Sequence, residues 1–331
     1  MGGTRRLLIY KDITLMIYRL MGGSSMQEIA TGRLKKKVSN WIKKETGFLF
    51  ILPWLIGFII FKAYPFASSL YYSFTNFHLF DGISKYGLFN YAKIFDTEGI
   101  MKAFQVTFKY ALITVPLKLV FALFIAYLLN FKMKGIQFFR TLYYIPSILG
   151  GSVAIAVLWK FLFQKNGLVN NILGLIGMEG ISWLGDERYA LFVISLLRAW
   201  QFGSAMVIFL AALKNVPEDL YEAAAIDGAG KVRQFISITI PLITPVIFYN
   251  LVTQLVQAFQ EFNAPFIITN GGPLGSTTLI SLLIYNQAFK KYEMGLASAM
   301  AWLLFAIVGT MTVVAFISQN KWVYYEEGGD Q

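Results

Sequence analysis

Residues 190–261 read ALFVISLLRAWQFGSAMVIFLAAL, KNVPEDLYEAAAIDGAGKVRQFISI and TIPLITPVIFYNLVTQLVQAFQE, which are two apolar runs on either side of a polar loop at 214–238. At about 1.5 Å of rise per helical residue, each run is long enough to cross a hydrocarbon core about 30 Å thick. The sequence therefore predicts two transmembrane helices joined by a polar loop.

The same pattern extends over most of the chain. The protein is 56% hydrophobic and only 14% charged, against roughly 25% charged residues in soluble domains. The predicted spans lie at 47–74, 107–130, 139–163, 190–213, 239–261 and 294–318. We therefore expect an all-α polytopic membrane protein with about six transmembrane helices, in which residues 47–318 form the transmembrane domain.

The distribution of charge predicts the orientation. Residues 1–46 carry ten Lys or Arg against three Asp or Glu, and residues 131–140 carry three basic and no acidic side chains. Residues 164–189, between the third and fourth spans, carry two basic and three acidic side chains. The positive-inside rule then places the amino-terminal segment, the 214–238 loop and the 319–331 tail in the cytoplasm.

The basic amino-terminal segment accounts for much of the net charge of +11. Because this charge directly precedes the first span, we interpret it as a topological anchor rather than a nucleic-acid site. Within residues 1–46 we expect an amphipathic helix that lies on the inner membrane surface.

Several kinds of chemistry find no support in the sequence. The chain has no cysteine, and its single histidine, His78, lies beside Asn76 and Asp81, where a solvated or interfacial role is favoured over a metal site. We find no phosphate-binding Walker loop and no nucleophile paired with a base. We therefore expect no catalytic residue, no metal and no cofactor in this chain.

The loop between the fourth and fifth spans has its own helical pattern. Pro217, Glu218 and Asp219 suit the first turn of a helix, where proline loses no needed donor and carboxylates meet the positive end of the dipole. Three alanines follow Glu222 and form a narrow surface that another protein can approach closely. Gly228 permits a sharp exit. The loop therefore predicts a short, slim, exposed helix.

The order of residues in this loop is specific. Glu222-Ala223-Ala224, then Gly228, then Ile238-Thr239-Ile240-Pro241 resembles the signature of permease subunits in binding-protein-dependent ABC importers. The family more often has leucine at the position of Ile240. Two further stretches, Arg140–Pro146 and Thr269–Pro273, resemble the carbohydrate branch of this family, which includes the maltose-transporter permease.

The resemblance implies a set of partners in a bacterial or archaeal cell membrane. These are a second permease subunit, usually a different chain, two ATPase subunits that bind ATP and Mg²⁺, and an extracytoplasmic solute-binding protein. It also implies that the loop helix is a cytoplasmic coupling helix that contacts the ATPase. The contact residues that it implies are Glu222, Ala223, Ala224, Asp227 and Gly228.

Span five carries a polar stripe. Asn250, Gln254, Gln257 and Glu261 follow the spacing i, i+4, i+7 and i+11, which places them on one helical face. Because hydrocarbon offers no hydrogen-bond partners, this face either lines a wet substrate path or holds neighbouring helices together. Amide side chains both donate and accept, which suits sugar hydroxyls.

Arg198 and Gln201 form a second polar patch in span four, where Arg198 either pairs with Glu261 or reaches the membrane edge. The six residues that we assign to the substrate path are Asn250, Gln254, Gln257, Glu261, Arg198 and Gln201.

The sequence favours a sugar or oligosaccharide as the solute, from the resemblance to the carbohydrate branch. Arg198 and Lys160 leave an anionic saccharide open, as well as another small solute. An ion-coupled secondary transporter is a less favoured class, because neither repeated halves nor discontinuous helices are evident in the sequence.

Overall fold

The computed structural model describes residues 46–131 and 134–324, where the regular secondary structure is helical and the β-structure consists of isolated bridges. In chain order the α-helices are α1 Thr46–Phe58, α2 Tyr64–Ser73, α3 Phe89–Asp96, α4 Glu98–Asn130, α5 Ile136–Leu149, α6 Val153–Leu162, α7 Leu168–Leu175, α8 Glu187–Trp200, α9 Gly203–Lys214, α10 Glu218–Ile226, α11 Lys231–Gln234, α12 Ile240–Leu242, α13 Thr244–Phe259, α14 Ile280–Tyr285 and α15 Met294–Gln319. The segments Ile59–Ala63, Phe235–Thr239, Pro265–Thr269 and Asn286–Lys290 are π-helical. The predicted all-α class is confirmed. The amphipathic helix expected within residues 1–46 lies outside the described residues.

The described residues contain three straight and three bent candidate spans. The straight spans are Phe50–Ser73, Glu98–Asn130 and Met294–Gln319. The bent spans pair α5 with α6 at 102°, α8 with α9 at 47°, and Lys231–Leu242 with α13 at 68°. Taking each bent pair as one candidate span that a short break divides, we number these candidate spans one to six in chain order.

Two spans begin clearly before their predicted bounds. Span five was predicted to begin at residue 239, but its first helical segment begins at Lys231, within the stretch predicted as loop. Span two was predicted to begin at residue 107, but α4 begins at Glu98. Glu98 and Lys102 lower the hydropathy of the first turns, although the helix itself continues through them. The length of an apolar run predicts the part of a helix that lies in the hydrocarbon core, and not the polar turns that project beyond it.

The structure divides into two compact units, Met1–Ser68 and Ser69–Gln331. The first is described from Thr46 onward as α1, a π-helical segment and the start of α2. Its large side chains are exposed, among them Phe50 at 82% and Trp54 at 67%. Exposed aromatics at this density suit a face that meets lipid or another membrane helix.

Helix α4 lies at the centre of the second unit. It contacts α8 and α9 of span four and α13 of span five. Tyr110 of α4, Ile194 of α8 and Phe209 of α9 are among the buried side chains of this core. The polar groups of spans four and five are therefore placed around α4.

Glycines allow spans three and four to meet closely. Gly150 lies in the break of span three, where an added Cβ would come within 2.5 Å of the Gln201 side chain. Gly203 begins α9, and an added Cβ there would come within 2.5 Å of the Tyr143 carbonyl oxygen. Pro116, in contrast, lies within α4, which remains one helix. Small residues thus decide where these spans break and touch.

Candidate functional site

Helix α10 occupies the middle of the 214–238 loop. It begins directly after Pro217, and Glu218 and Asp219 form an acidic first turn that complements the helix dipole. It ends in a Schellman arrangement, in which the Gly228 N–H donates to the Ala225 carbonyl over 3.0 Å. Gly228 has a φ of +75°, a conformation that strongly favours glycine.

The five residues implied as ATPase contacts lie on α10 or directly after it. Four of them, Glu222, Ala223, Asp227 and Gly228, are exposed, whereas Ala224 is half-buried. Within the described chain Glu222 makes no ion pair and no side-chain hydrogen bond. The helix therefore presents an unpaired carboxylate beside small side chains.

Two side-chain contacts hold α10 against the start of span five. The Tyr221 and Thr239 hydroxyls are 2.7 Å apart. Gln234 Nε2 donates to the Tyr221 carbonyl over 3.4 Å, and to the Ala229 carbonyl just beyond the helix over 3.0 Å. A cavity of about 200 Å³ adjoins the helix and is lined by Ala224, Asp227, Ala229, Arg233, Gln234, Ser237 and Ile238. A force applied to α10 can thus reach span five through direct contacts.

The polar patch of span four forms an ion pair with the end of span five. Arg198 Nε lies 2.7 Å from Glu261 Oε2. Of the two roles expected for Arg198, the structure therefore shows the ion pair with Glu261 and not an extension to the membrane edge. Glu261 lies just beyond the end of α13, and its Oε1 accepts from the Ala264 N–H over 3.1 Å. Only 5% of the Glu261 side chain is exposed, and a buried carboxylate needs such partners to remain charged.

Gln201 extends this network to span three. It lies in the break between α8 and α9, and its Oε1 accepts from Arg198 over 2.9 Å. Its Nε2 donates to the Gly150 carbonyl over 3.2 Å. The Ser147 hydroxyl donates to the Gln201 carbonyl over 3.0 Å. Gln201 therefore joins the breaks of spans three and four, a place that helical spacing does not reveal.

The stripe of span five does not act as one surface. Asn250 is buried and donates to the Val246 carbonyl of its own helix over 3.2 Å. Gln254 is buried and Gln257 is exposed. Both line a cavity of about 10 Å³, whose lining residues are Thr114, Val115, Lys118, Arg198, Gln254, Gln257 and Ala258. The structure therefore brings Arg198, Gln254 and Gln257 together, and leaves Asn250, Glu261 and Gln201 outside the cavity lining.

A polar face of α4 was missed in the sequence analysis. Tyr110, Thr114 and Lys118 follow the spacing i, i+4 and i+8, so they lie along one side of the helix. They are 0%, 2% and 4% exposed. The same spacing that reveals the stripe of span five would have found these residues, but Thr and Tyr do not stand out in an apolar run.

Comparison with known proteins places this architecture in a family. Residues 107–321 match the family described as binding-protein-dependent transport system inner membrane component. The chain is 45% identical over 296 residues to the Probable ABC transporter permease protein YesP of Bacillus subtilis (strain 168), covering 88% of this chain and 96% of the relative. It is 33% identical over 295 residues to the sn-glycerol-3-phosphate transport system permease protein UgpA of Pectobacterium atrosepticum, covering 87% and 97%.

The fold is also similar to a solved structure. A chain of a bacterial ABC transporter involved in the import of the acidic polysaccharide alginate aligns with a TM-score of 0.73 at 21% identity, covering 86% of this chain and 99% of that chain. Three candidate spans contain broken helices, which the sequence did not reveal. Broken helices were expected of a secondary transporter, so their presence does not distinguish an ABC importer permease from a secondary transporter. Because the family match covers most of the chain and both relatives align over nearly their full lengths, this protein belongs to the family of inner-membrane permease components of binding-protein-dependent ABC transport systems.

Proposed function

We propose that this chain is one of two permease subunits that together form the path for a saccharide through an ATP-driven importer. The observation that carries the proposal is the exposed helix α10, with its free Glu222 and its tether between Tyr221 and Thr239. Such a helix can receive a push from a partner and pass it to the polar span five. Alternating access is then a shift between two populations that the partner biases.

The proposed partner at α10 is a separate ATPase subunit, which binds ATP and Mg²⁺. Because no Walker loop is found in the sequence, this chain needs such a partner as its source of energy. The contacts that we assign to it are those of Glu222, Ala223, Ala224, Asp227 and Gly228. Since ATP is cytoplasmic, α10 and both termini would face the cytoplasm of a bacterial or archaeal cell.

The proposed solute is a saccharide that an extracytoplasmic solute-binding protein delivers. Support comes from the similar fold of an alginate importer chain and from Gln254 and Gln257, whose amides can donate to and accept from hydroxyls. The cavity within this chain, at about 10 Å³, holds no more than about one water. We therefore place the path at the surface shared with a second, different permease subunit, toward which the exposed Gln257 would point.

A charge reversal on α10 tests the coupling role. Glu222→Lys and Glu179→Lys make the same charge change at exposed positions, one on α10 and one in the 164–189 loop. This chain, the second permease subunit, the ATPase subunit and the solute-binding protein are produced together. The amount of ATPase subunit that copurifies with the permease pair is then measured. We expect Glu222→Lys to lose most of the ATPase while the permease pair stays intact, and Glu179→Lys to keep it. Normal ATPase content and normal transport in Glu222→Lys would show that the assignment is wrong.

The solute is tested with the partner solute-binding protein. Its binding of neutral saccharides, acidic saccharides and unrelated small solutes is measured by calorimetry. Tight binding of a saccharide, followed by its ATP-dependent uptake through the assembled complex, supports the proposal. Uptake of only a non-saccharide solute contradicts it.

A further inference from the structure

The polar face of α4 contains several buried polar side chains whose hydrogen-bonding capacity is not satisfied. Among the described residues, the buried Tyr110 Oη and Thr114 Oγ1 make no hydrogen bond of normal geometry, although Tyr110 lies close to both Thr114 and Arg198. Lys118, only 4% exposed, likewise makes neither an ion pair nor a hydrogen bond with any described residue. Buried polar groups without partners are rare, and each one requires an explanation such as a ligand or an ordered water.

The charges around Lys118 do not balance within this chain. Lys118 lies in the same electrostatic cluster as Arg198 and Glu261. Glu261 is already held by Arg198 at 2.7 Å. When Lys118 is protonated, the cluster therefore holds two cations and one anion. An uncompensated buried charge is strongly unfavourable, so the cluster favours the entry of one negative charge.

The position and size of the cavity define what can enter. Lys118, Gln254 and Gln257 line the same cavity, and the side chains of the two glutamines make no hydrogen bond among residues 46–131 and 134–324. Its volume of about 10 Å³ suits one oxygen atom rather than a whole sugar ring. Because Gln257 is exposed, it provides a route from the surface to the buried ammonium group.

We propose that this cavity is an anion subsite, in which Lys118 binds an oxygen of a carboxylate or phosphate group carried by the transported saccharide. Lys118 supplies the positive charge, and the Gln254 and Gln257 amides donate hydrogen bonds to the same group. Thr114, on the same side of α4 as Lys118, also lines the cavity. The subsite rests on the proposed function and narrows its solute to a saccharide with a negative charge.

The first test uses small anions and the assembled transporter in nanodiscs. Acetate and inorganic phosphate are titrated at constant ionic strength against chloride, and the thermal unfolding midpoint is followed. The two anions separate a carboxylate subsite from a phosphate subsite. We expect at least one of them to raise the midpoint of the unmodified complex and of Lys109→Gln, which removes an exposed charge from the same helix. Lys118→Gln should lose that rise. No rise in the unmodified complex, or the same rise in Lys118→Gln, overturns the subsite.

The second test measures uptake of the solute that the binding protein delivers. For an anionic saccharide, Lys118→Gln should lower uptake per complex by about tenfold or more, the usual loss with a charged hydrogen bond. Lys118→Arg should retain most of the uptake and Lys109→Gln all of it. Equal losses in Lys118→Gln and Lys118→Arg, or no loss in either, assign Lys118 a structural role and overturn the subsite. Uptake of a neutral saccharide overturns the subsite and leaves the proposed function standing, whereas a complex without ATP-dependent uptake contradicts the proposed function itself.

Discussion

Gln201, in the break of span four, donates from Nε2 to the carbonyl oxygen of Gly150, in the break of span three, over 3.2 Å. The same side chain accepts from Arg198, which lies 2.7 Å from Glu261 beyond the end of span five. One polar chain therefore connects the breaks of spans three and four to Glu261, just beyond the end of span five. In lipid, such contacts also satisfy backbone groups that a broken helix exposes.

Because Gly150 lies close to the Gln201 side chain, we expect alanine to be tolerated less well at Gly150 than at the neighbouring Gly151. Gly150→Ala places a Cβ within 2.5 Å of the Gln201 side chain, whereas Gly151→Ala places one in open space. We expect Gly150→Ala to lower the free energy of unfolding by about 1–3 kcal/mol through overpacking. Gly151→Ala should be close to neutral. Thermal unfolding of the purified complex measures the difference, and equal effects would show that the contact is not limiting.

The two single substitutions that break the Arg198–Glu261 ion pair should lower the free energy of unfolding by different amounts. Arg198→Gln leaves the Glu261 carboxylate buried without its cation, which should cost about 3–5 kcal/mol. Glu261→Gln keeps an acceptor for the Ala264 N–H and should cost less, about 1–3 kcal/mol. The double variant should be more stable than Arg198→Gln alone because no unpaired carboxylate remains. Strict additivity in a double-mutant cycle of unfolding midpoints would contradict a direct pair.

The end of α10 should depend on Gly228 and not on Gly230. Gly228 has a φ of +75°, so Gly228→Ala should cost about 1–2 kcal/mol of local stability. Gly230 has a φ of −67° and an added Cβ there meets nothing within 4 Å. We expect Gly228→Ala to lower ATPase activity stimulated by the solute-binding protein, while Gly230→Ala keeps it. Similar ATPase activity in both variants would show that the end of α10 does not require glycine at position 228.

The predicted orientation can be measured directly, because the chain contains no cysteine. Asp227→Cys and Glu179→Cys each introduce one exposed thiol, on the α10 side and in the 164–189 loop respectively. A membrane-impermeant maleimide should label Glu179→Cys in intact cells and Asp227→Cys only after permeabilisation, since positive charge favours the inner side. The reverse labelling pattern would invert the proposed topology.

Much of this fold follows from local sequence properties. Apolar length predicts six spans, and turn residues around Gly228 predict a short helix between spans four and five, which is α10. Both are properties of single segments, for which lipid and backbone sterics set the rules. The extra turns of α4 from Glu98 onward were missed, because a helix that leaves the membrane no longer needs apolar side chains.

The sequence by itself determined the helical class, the six apolar runs and the motif of the coupling helix, because each of these is fixed by residues close together in the chain. Tertiary structure alone decided that Arg198 pairs with Glu261, that Gln254 lines a cavity while Asn250 does not, and that Lys118 joins them. These outcomes depend on how far each helix is rotated and where it bends. Packing between distant segments sets both quantities, and no local pattern specifies them.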